Sequence, residues 1–159
     1  MMTPEASTIS SDNGPSECQM TRDEIIAFFE RRQAAYDNLD AAALASDYAP
    51  DCIVDSPTGG THQGPDAVEQ VLQAVFSAFL NLRVRVEDQL IDGGQVAQIL
   101  NIEGTHIGEF LGLPPTGRPF RYAAAVMYEL RGRQIVRERR IYDFTGLLMQ
   151  IGVLRAKPA

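Results

Sequence analysis

The sequence predicts a single α+β domain in which helices dominate the first half and an antiparallel sheet the second. Between residues 21 and 80, apolar residues recur every three or four positions, which is typical of helices that lie on a surface. The period then changes to two, and turn signals separate four consecutive strands. Strands that follow helices, rather than alternating with them, favour an α+β arrangement over a parallel sheet.

Size and charge narrow the class of protein further. The chain has 159 residues and is 45% hydrophobic, which is typical of one globular domain. Its formal net charge of -7, without a basic stripe, argues against nucleic acid and against an anionic membrane surface as partners. No apolar run approaches the roughly 20 residues that a membrane helix needs.

The cysteines and the N-terminus point to the cytoplasm. Cys18 and Cys52 are the two cysteines, and their spacing suggests no disulfide framework. The first residues contain acids and serines but no basic segment followed by an apolar one, so they do not resemble a secretory signal. We therefore expect two free thiols in a reducing compartment.

The first 20 residues are predicted to be a disordered leader, because they are polar and rich in Ser, Pro and Gly. The folded domain is predicted over residues 21–159. Thr21 and Glu24 fit a capping box that starts a helix running to about Tyr36. A second short helix is predicted from Ala41 to Tyr48.

A short strand and a long helix follow. Residues 52–54 suggest a strand that ends at the turn residues 56–60. The clearest helix starts at Gly64, with Pro65 in its first turn. Its apolar residues, up to Leu80, lie on one face.

Four strands and a closing helix complete the chain. The first of the four predicted strands begins at residue 82, and the other three cover residues 96–104, 120–130 and 134–143. Together they are predicted to form an antiparallel meander. The hairpin signal Asp92-Gly93-Gly94 joins the first two strands, and a Gly- and Pro-rich loop over 108–119 separates the second from the third. Residues 144–153 suggest a short final helix.

Two segments are specific enough to suggest a family. Residues 104–118 read GTHIGEFLGLPPTGR, and residues 143–152 read DFTGLLMQIG. They resemble the G-T-H-x-G-x-F-x-G-x-P-P-T-G and D-x-x-G-L-x-x-Q-x-G segments of the SnoaL-like polyketide cyclase family. That family is part of the wider group that resembles nuclear transport factor two and ketosteroid isomerase. The likeness covers about residues 21–153.

The resemblance implies a cone-shaped α+β barrel, in which a curved antiparallel sheet wraps around a long helix behind N-terminal helices. It implies a pocket for a small organic ligand, no cofactor, and a homodimer. Characterised members of the family close a ring by an intramolecular aldol reaction, with one aspartate as acid and base. The matching position here is Asp143, which shares the parity of Arg137, Arg139 and Ile141 along the last predicted strand.

Asp143 is accordingly the first catalytic candidate. Aldol closure removes a proton next to a carbonyl and returns one to the new alkoxide. An apolar pocket would raise the pKa of a buried carboxyl group and make it a better base. The alternative is structural, since Asp143 could pair with Arg139 or cap the last helix. Arg139 is a candidate to bind an enolate or carboxylate oxygen, or to form an ion pair.

His106 is the second catalytic candidate, because an imidazole at the end of a strand could donate a hydrogen bond to a carbonyl as charge develops. It could equally bond only to its own loop. His62 is interpreted as a solvated loop residue. With two histidines and no HExxH spacing, the sequence predicts no metal site.

Asp55 and two tyrosines are candidates for substrate contact. The segment around Asp55 is similar to the one that carries the proton-shuttling aspartate of ketosteroid isomerases, although a turn-forming role is the alternative. Steroid isomerisation itself is not supported, because residues 124–127 read AAVM where that enzyme has a protonated aspartate. Tyr36 and Tyr122 could add hydroxyl groups to the pocket or pack in the core.

Three functions stay open at this point. The first is ring closure or a related proton transfer on a small, oxygenated, largely apolar substrate. The second is a non-catalytic pocket that binds a small molecule, because a fold does not fix a function. The third is epoxide hydrolysis, for which Asp55, Asp143 and Arg139 would have to meet around a water molecule.

Overall fold

A computed structural model describes residues 19–155, which form four helices and six strands. The helices are α1 (Arg22–Asp37), α2 (Ala41–Ala45), α3 (Pro65–Ala78) and α4 (Phe144–Gln150). The strands are β1 (Tyr48–Ser56), β2 (Gly60–Gln63), β3 (Phe79–Asp92), β4 (Gln95–His106), β5 (Pro119–Arg131) and β6 (Gln134–Tyr142). The predicted α+β class and the long third helix are confirmed. The predicted leader lies almost wholly outside the described residues.

All six strands belong to one sheet, in the order β2-β1-β6-β5-β4-β3. The predicted meander of β3 to β6 is confirmed, since each consecutive pair is antiparallel. The sequence did not predict two features. β1 lies parallel to β6, and the short β2 pairs with β1 across the turn at residues 57–59. The sheet does not close into a full barrel, because β2 and β3 are its edges.

The sheet is curved, and the irregularities in strand pairing show where it bends. Pairing between β3 and β4 shifts twice, between Leu80 and Arg83 and again between Val86 and Asp88. Pairing between β5 and β6 shifts once, where Leu130 pairs with Ile135 but Glu129 pairs with Arg137. Two residues of β6 thus oppose one of β5, which is a β-bulge with Val136 as the extra residue. Bulges bend a strand and increase its twist.

Helix α3 covers the inner face of the sheet. Val68 and Leu72 of α3 belong to one buried cluster with Val84, Leu100 and residues from β1, β5 and β6. A second cluster, around Phe79 and Phe120, includes Leu147 of α4. Apolar residues from α1 and α2 complete the first cluster. The core therefore sits between the sheet and the helices, with α3 in the middle.

The N-terminal helices follow their sequence signals. The Thr21 hydroxyl accepts from the Glu24 amide and the Glu24 carboxylate accepts from the Thr21 amide, so the predicted capping box is present. The second helix is shorter than predicted, because β1 already starts at Tyr48. Within residues 19–155, no helix is both long and apolar enough to cross a membrane. Cys52 is a buried free thiol, whereas Cys18 lies outside the described residues.

The loop after β4 is fastened to the end of α3. The amides of Ile107 and Gly108 both donate to the Ala78 carbonyl, at 2.9 and 3.0 Å. A Cβ atom on Gly108 would lie 2.7 Å from the Ser77 carbonyl oxygen, which is closer than such atoms pack. Gly108 of the GTHIGEF segment therefore allows two backbone segments to touch.

Substitution of Gly108 by alanine tests this contact. The added methyl group must push Ser77 aside, so we expect the free energy of unfolding to fall by about 1–3 kcal/mol. Urea denaturation measures the change. Glu109→Ala, at the exposed neighbouring position, serves as the control and should stay within about 0.5 kcal/mol of the wild type. Equal stability of the Gly108→Ala and Glu109→Ala proteins would contradict the packing argument.

Candidate active site

A cavity of about 230 Å³ lies between α3 and the inner face of the sheet. Most of its walls are apolar side chains of α3 and β3 to β5, with residues of the 107–118 loop and of α4. These apolar residues include Val71, Leu72, Val75, Phe76, Phe79, Leu82, Val84, Leu100, Ile102, Phe110, Phe120, Ala124, Val126 and Leu147. A largely apolar cavity with a few convergent polar groups is the usual form of a small-molecule site.

The polar side of the cavity is formed mainly by strand β6. Glu138, Arg140 and Tyr142 alternate along that strand and all line the cavity. Arg140 Nε donates to Glu138 Oε1 at 2.5 Å, and Glu138 is only 1% exposed. An ion pair is thus buried against an otherwise apolar wall.

A buried polar chain continues from this ion pair to helix α1. The Tyr48 hydroxyl donates to the second oxygen of Glu138 and accepts from Arg32 at 3.3 Å. Arg32 is 2% exposed and pairs with Asp47 at 2.9 Å. Both oxygens of Glu138 are therefore occupied, one by an arginine and one by a phenol.

The electrostatics of this chain keep each group in its usual ionic form. Burial would raise the pKa of Glu138, but the neighbouring Arg140 and the hydrogen bonds outweigh it and lower that pKa. Burial would likewise lower the pKa of Arg140, and the Glu138 carboxylate raises it instead. Burial, together with Glu138, raises the pKa of Tyr48 well above its ordinary value. At neutral pH, Glu138 is an anion, Arg140 a cation and Tyr48 a neutral donor.

Hydroxyl groups and a histidine from the β1–β2 hairpin line the cavity near the end of β6. Thr58 Oγ1 lies 2.8 Å from the Tyr142 hydroxyl, and Ser56 Oγ lies 3.4 Å from it. His62 also lines the cavity, although the sequence suggested a solvated loop residue. Its Nε2 atom is buried without a hydrogen-bond partner in the described chain. A Cβ atom on Gly59 would lie 2.5 Å from that nitrogen, so glycine leaves room for the ring.

Asp143 does not line the cavity. It follows β6 directly, its side chain is exposed, and its Oδ1 accepts from the Gly146 amide at 2.8 Å. This is the helix-capping role that the sequence left open as the structural alternative. The catalytic role of Asp143 stays a prediction, and its position gives that role no support.

Arg139 and Asp55 also lie outside the cavity lining. Arg139 is exposed and has the opposite parity to Glu138 and Arg140 on β6. Asp55 accepts from Thr61 at 2.9 Å and forms an ion pair with Arg137 at 3.2 Å. Asp55, Asp143 and Arg139 therefore do not meet around the cavity, which removes the geometric basis for epoxide hydrolysis.

His106 is fully buried behind the cavity wall. Its Nδ1 lies 3.2 Å from the Thr116 hydroxyl, and its ring packs against Phe79 with the centroids 5.7 Å apart. The backbone of His106 also bonds to Arg118 and Gly117, so the residue closes the base of its loop. It is not part of the cavity lining, and its catalytic role stays a prediction.

The two tyrosines selected from the sequence do line the cavity. Tyr36 reaches it from α1 and Tyr122 from β5. The rings of Tyr122 and Tyr142 lie 5.2 Å apart between centroids. Burial raises the pKa of Tyr122, so its hydroxyl stays protonated and able to donate. Among residues 19–155, no group of three or more His, Cys, Asp or Glu side chains is placed to hold a metal ion.

A largely apolar cavity beside an open, curved sheet is the form that a small-molecule site usually takes. Residues 27–151 match the SnoaL-like polyketide cyclase family, and the chain belongs to that family. The nogalonic acid methyl ester cyclase of Streptomyces nogalater is 34% identical over 97 residues, which make up 58% of this chain and 70% of that protein.

Solved structures agree with the fold. TsrD of Streptomyces laurentii superposes with a TM-score of 0.76 at 20% identity, over 86% of this chain and all of that chain. IdmH of Streptomyces antibioticus superposes with a TM-score of 0.67 at 28% identity, over 80% of this chain and 97% of that one. The predicted family and its cone-like fold are confirmed.

Substitutions in the ion pair test how the cavity wall is held together. Arg140→Gln leaves the buried Glu138 charge without its cation, so we expect a loss of about 3–5 kcal/mol in the free energy of unfolding. The double variant Glu138→Gln/Arg140→Gln removes both charges and should lose less than the single variant. Urea denaturation compares the two. If the double variant is as unstable as Arg140→Gln alone, the loss of stability does not come from an unpaired buried charge.

Proposed function

We propose that this protein is an enzyme that moves protons to and from a carbon next to a carbonyl, and so closes a ring in a small, oxygenated, largely apolar substrate. The observation that supports this most is the cavity itself, in which apolar walls end at one edge lined by Arg140, Tyr122, Tyr142 and His62. Apolar walls hold a carbon skeleton and exclude water. The polar edge supplies groups that exchange protons and hold oxygen.

The proposed chemistry is an intramolecular aldol reaction. A base takes a proton from the carbon beside one carbonyl and leaves an enolate. The enolate carbon attacks a second carbonyl of the same molecule, forming a carbon–carbon bond and an alkoxide. The alkoxide then takes a proton. No electrons are gained or lost overall, so the reaction requires no redox cofactor.

His62 is the residue that we assign as the base. Among the described lining residues, the other proton acceptors fit less well. Both oxygens of Glu138 are occupied and its pKa is lowered, and Glu109 is exposed. The Nε2 atom of His62 has no hydrogen-bond partner in the described chain, and an imidazole nitrogen that carries no proton can accept one. Nε2 is buried close to Gly59, so the assignment of His62 as the base requires the turn at residues 57–59 to move when a ligand enters.

The tyrosine hydroxyls are assigned as donors to the substrate oxygens. Tyr122 stays protonated because burial raises its pKa, and the Tyr142 hydroxyl is joined to Thr58. A donor directed at the oxygen where charge develops stabilises the enolate and the alkoxide.

One observation supports the alternative that the protein binds a small molecule without catalysing a reaction. The acidic residue that matches the family's acid and base, Asp143, is exposed and caps α4 rather than facing the cavity. A protein that only binds its ligand would show this arrangement. Turnover is therefore the deciding measurement.

Proton transfer can be measured before the natural substrate is known. Deuterium incorporation next to the carbonyl of 1-indanone, a compact bicyclic ketone, reports base catalysis by NMR. We expect the wild type to accelerate exchange and His62→Gln to lower the rate by about 10²–10⁴-fold. The matched control is Asp143→Asn, which should keep the wild-type rate. Ring closure is assayed separately with nogalonic acid methyl ester.

The two variants distinguish the assignments. Loss of exchange in Asp143→Asn with full exchange in His62→Gln would overturn the assignment of the base and restore the prediction for Asp143. Binding of 1-indanone without exchange in the wild type would favour the non-catalytic alternative.

The homodimer is a further part of the proposal. On the face of the sheet away from the cavity, Ile99, Met127 and Ile141 are exposed on adjacent strands. The resemblance to the family implies a homodimer, so we propose that a second copy of the chain covers this face. Light scattering should therefore report about twice the chain mass of 17.5 kDa. A particle of the chain mass would contradict the dimer.

A further inference from the structure

We infer that Arg140 is a receptor for an ionised oxygen, and that the ligand is a flat, conjugated compound which carries a carboxylate, phenolate or enolate at one end. This inference rests on the proposed function, because it names the class of ligand that the same cavity takes. It assigns to Arg140 the oxygen-binding role that the sequence suggested for the neighbouring Arg139.

Arg140 uses only part of its hydrogen-bonding capacity within the described chain. A guanidinium group has five N–H donors, of which four belong to its two terminal nitrogens. Glu138 is bound through Nε. Within residues 19–155 the terminal nitrogens have no hydrogen bond, and neither of them is fully buried. These donors are thus unused and accessible in a residue that lines the cavity.

The guanidinium group of Arg140 is held in a fixed direction by its neighbours. The orientation of the Glu138 carboxylate is fixed, because its other oxygen accepts a hydrogen bond from Tyr48, which in turn accepts one from Arg32. Arg140 is therefore fixed along its Nε edge before a ligand arrives. A donor that is held in place loses little freedom on binding, and hydrogen bonds between two charged groups are stronger than neutral ones.

Acidic side chains of the cavity lining do not compete for the terminal nitrogens of Arg140. The lining residues include two acids, Glu138 and Glu109. Glu138 lies on the Nε edge of Arg140, and Glu109 is an exposed residue of the loop after β4. No carboxylate of the described residues pairs with the terminal nitrogens, so an acidic ligand would meet no competing anion there.

The shape of the cavity sets the rest of the ligand. An engineered apolar cavity of about 150 Å³ binds benzene. The cavity here, about 230 Å³, is larger, so it has room for a ring that carries substituents or fused rings. Phe120, Tyr122 and Tyr142 form a row of rings, with Phe120 and Tyr122 stacked at 5.9 Å between centroids. Flat, conjugated groups pack well on such rings.

Salicylate and salicylamide are a matched pair of probes for this inference. They have the same shape, but only salicylate carries a carboxylate at pH 7. Isothermal titration calorimetry on the wild type should give salicylate the lower dissociation constant by about 10-fold or more, in line with the strength of hydrogen bonds to charged groups. In Arg140→Gln we expect the two affinities to become equal, since salicylate loses its partner.

Arg139→Gln is the control for Arg140→Gln. It removes an arginine from the next position of the same strand, but one that is exposed and does not line the cavity. The preference for salicylate should stay unchanged. If Arg139→Gln abolishes the preference and Arg140→Gln keeps it, the carboxylate binds on the outer face and the inference is wrong.

The double variant Glu138→Gln/Arg140→Gln covers the case in which Arg140→Gln does not fold. It leaves no buried charge unpaired, and it should bind both probes equally. Equal affinity of the wild type for both probes, or a salicylate preference that survives in the double variant, would overturn the inference. These binding measurements need no turnover. A preference for salicylate without deuterium exchange would disprove the proposed reaction but support the inference. Deuterium exchange without a preference for salicylate would support the proposed reaction but disprove the inference.

Discussion

The buried pair of Glu138 and Arg140 is the interaction on which the cavity wall depends. Two opposite charges in an apolar wall are stable only if each has the other, and if the remaining polar atoms are satisfied or reach solvent. The chain supplies this from several elements. Tyr48 of β1 binds the second oxygen of Glu138, and Arg32 of α1 supports Tyr48. The polar side of the cavity is therefore coupled to the N-terminal helices.

The position of β1 beside β6 in the sheet makes this coupling possible. A parallel pairing of the two strands places Tyr48 opposite Ile135, close enough for the Tyr48 hydroxyl to reach Glu138. The same pairing brings Asp47 to the base of the strand, where it binds both Arg31 and Arg32. The negative charge of Asp47, which is 6% exposed, is thereby balanced by ion pairs with these two arginines of α1. The turns and helices before β1 thus take part in the electrostatics of a cavity formed mainly by later strands.

The sequence predicted the fold closely because its signals are local. The capping box at Thr21, the proline at the start of α3 and the change of period after Leu80 each act within a few residues, and each predicted element type is present. The site was less predictable because it depends on a bulge. Ile135 is buried, so strict alternation places Arg137, Arg139 and Ile141 on the inner face. Val136 is an extra residue in the pairing, so the alternation of side chains between the two faces shifts by one residue after it. Glu138, Arg140 and Tyr142 therefore face the cavity instead. A shift of one residue exchanges the two faces of a strand, and the sequence of β6 carries no glycine or proline to mark it.

The residues that identify the family and those that line the cavity are largely different residues. Gly108 lets the loop after β4 touch α3, and His106 closes the base of that loop. Gly146 lies against the Asp143 carboxylate, where a Cβ atom would collide with it. These segments preserve the backbone around the cavity, so they identify the fold from sequence. The polar edge, in contrast, is formed by His62, Tyr122, Arg140 and Tyr142, none of which belongs to either segment. Membership of the family can therefore be established while the ligand stays unnamed, because the segments that match the family are not the ones that form the polar edge. The chemistry of this protein has to be worked out from its own cavity.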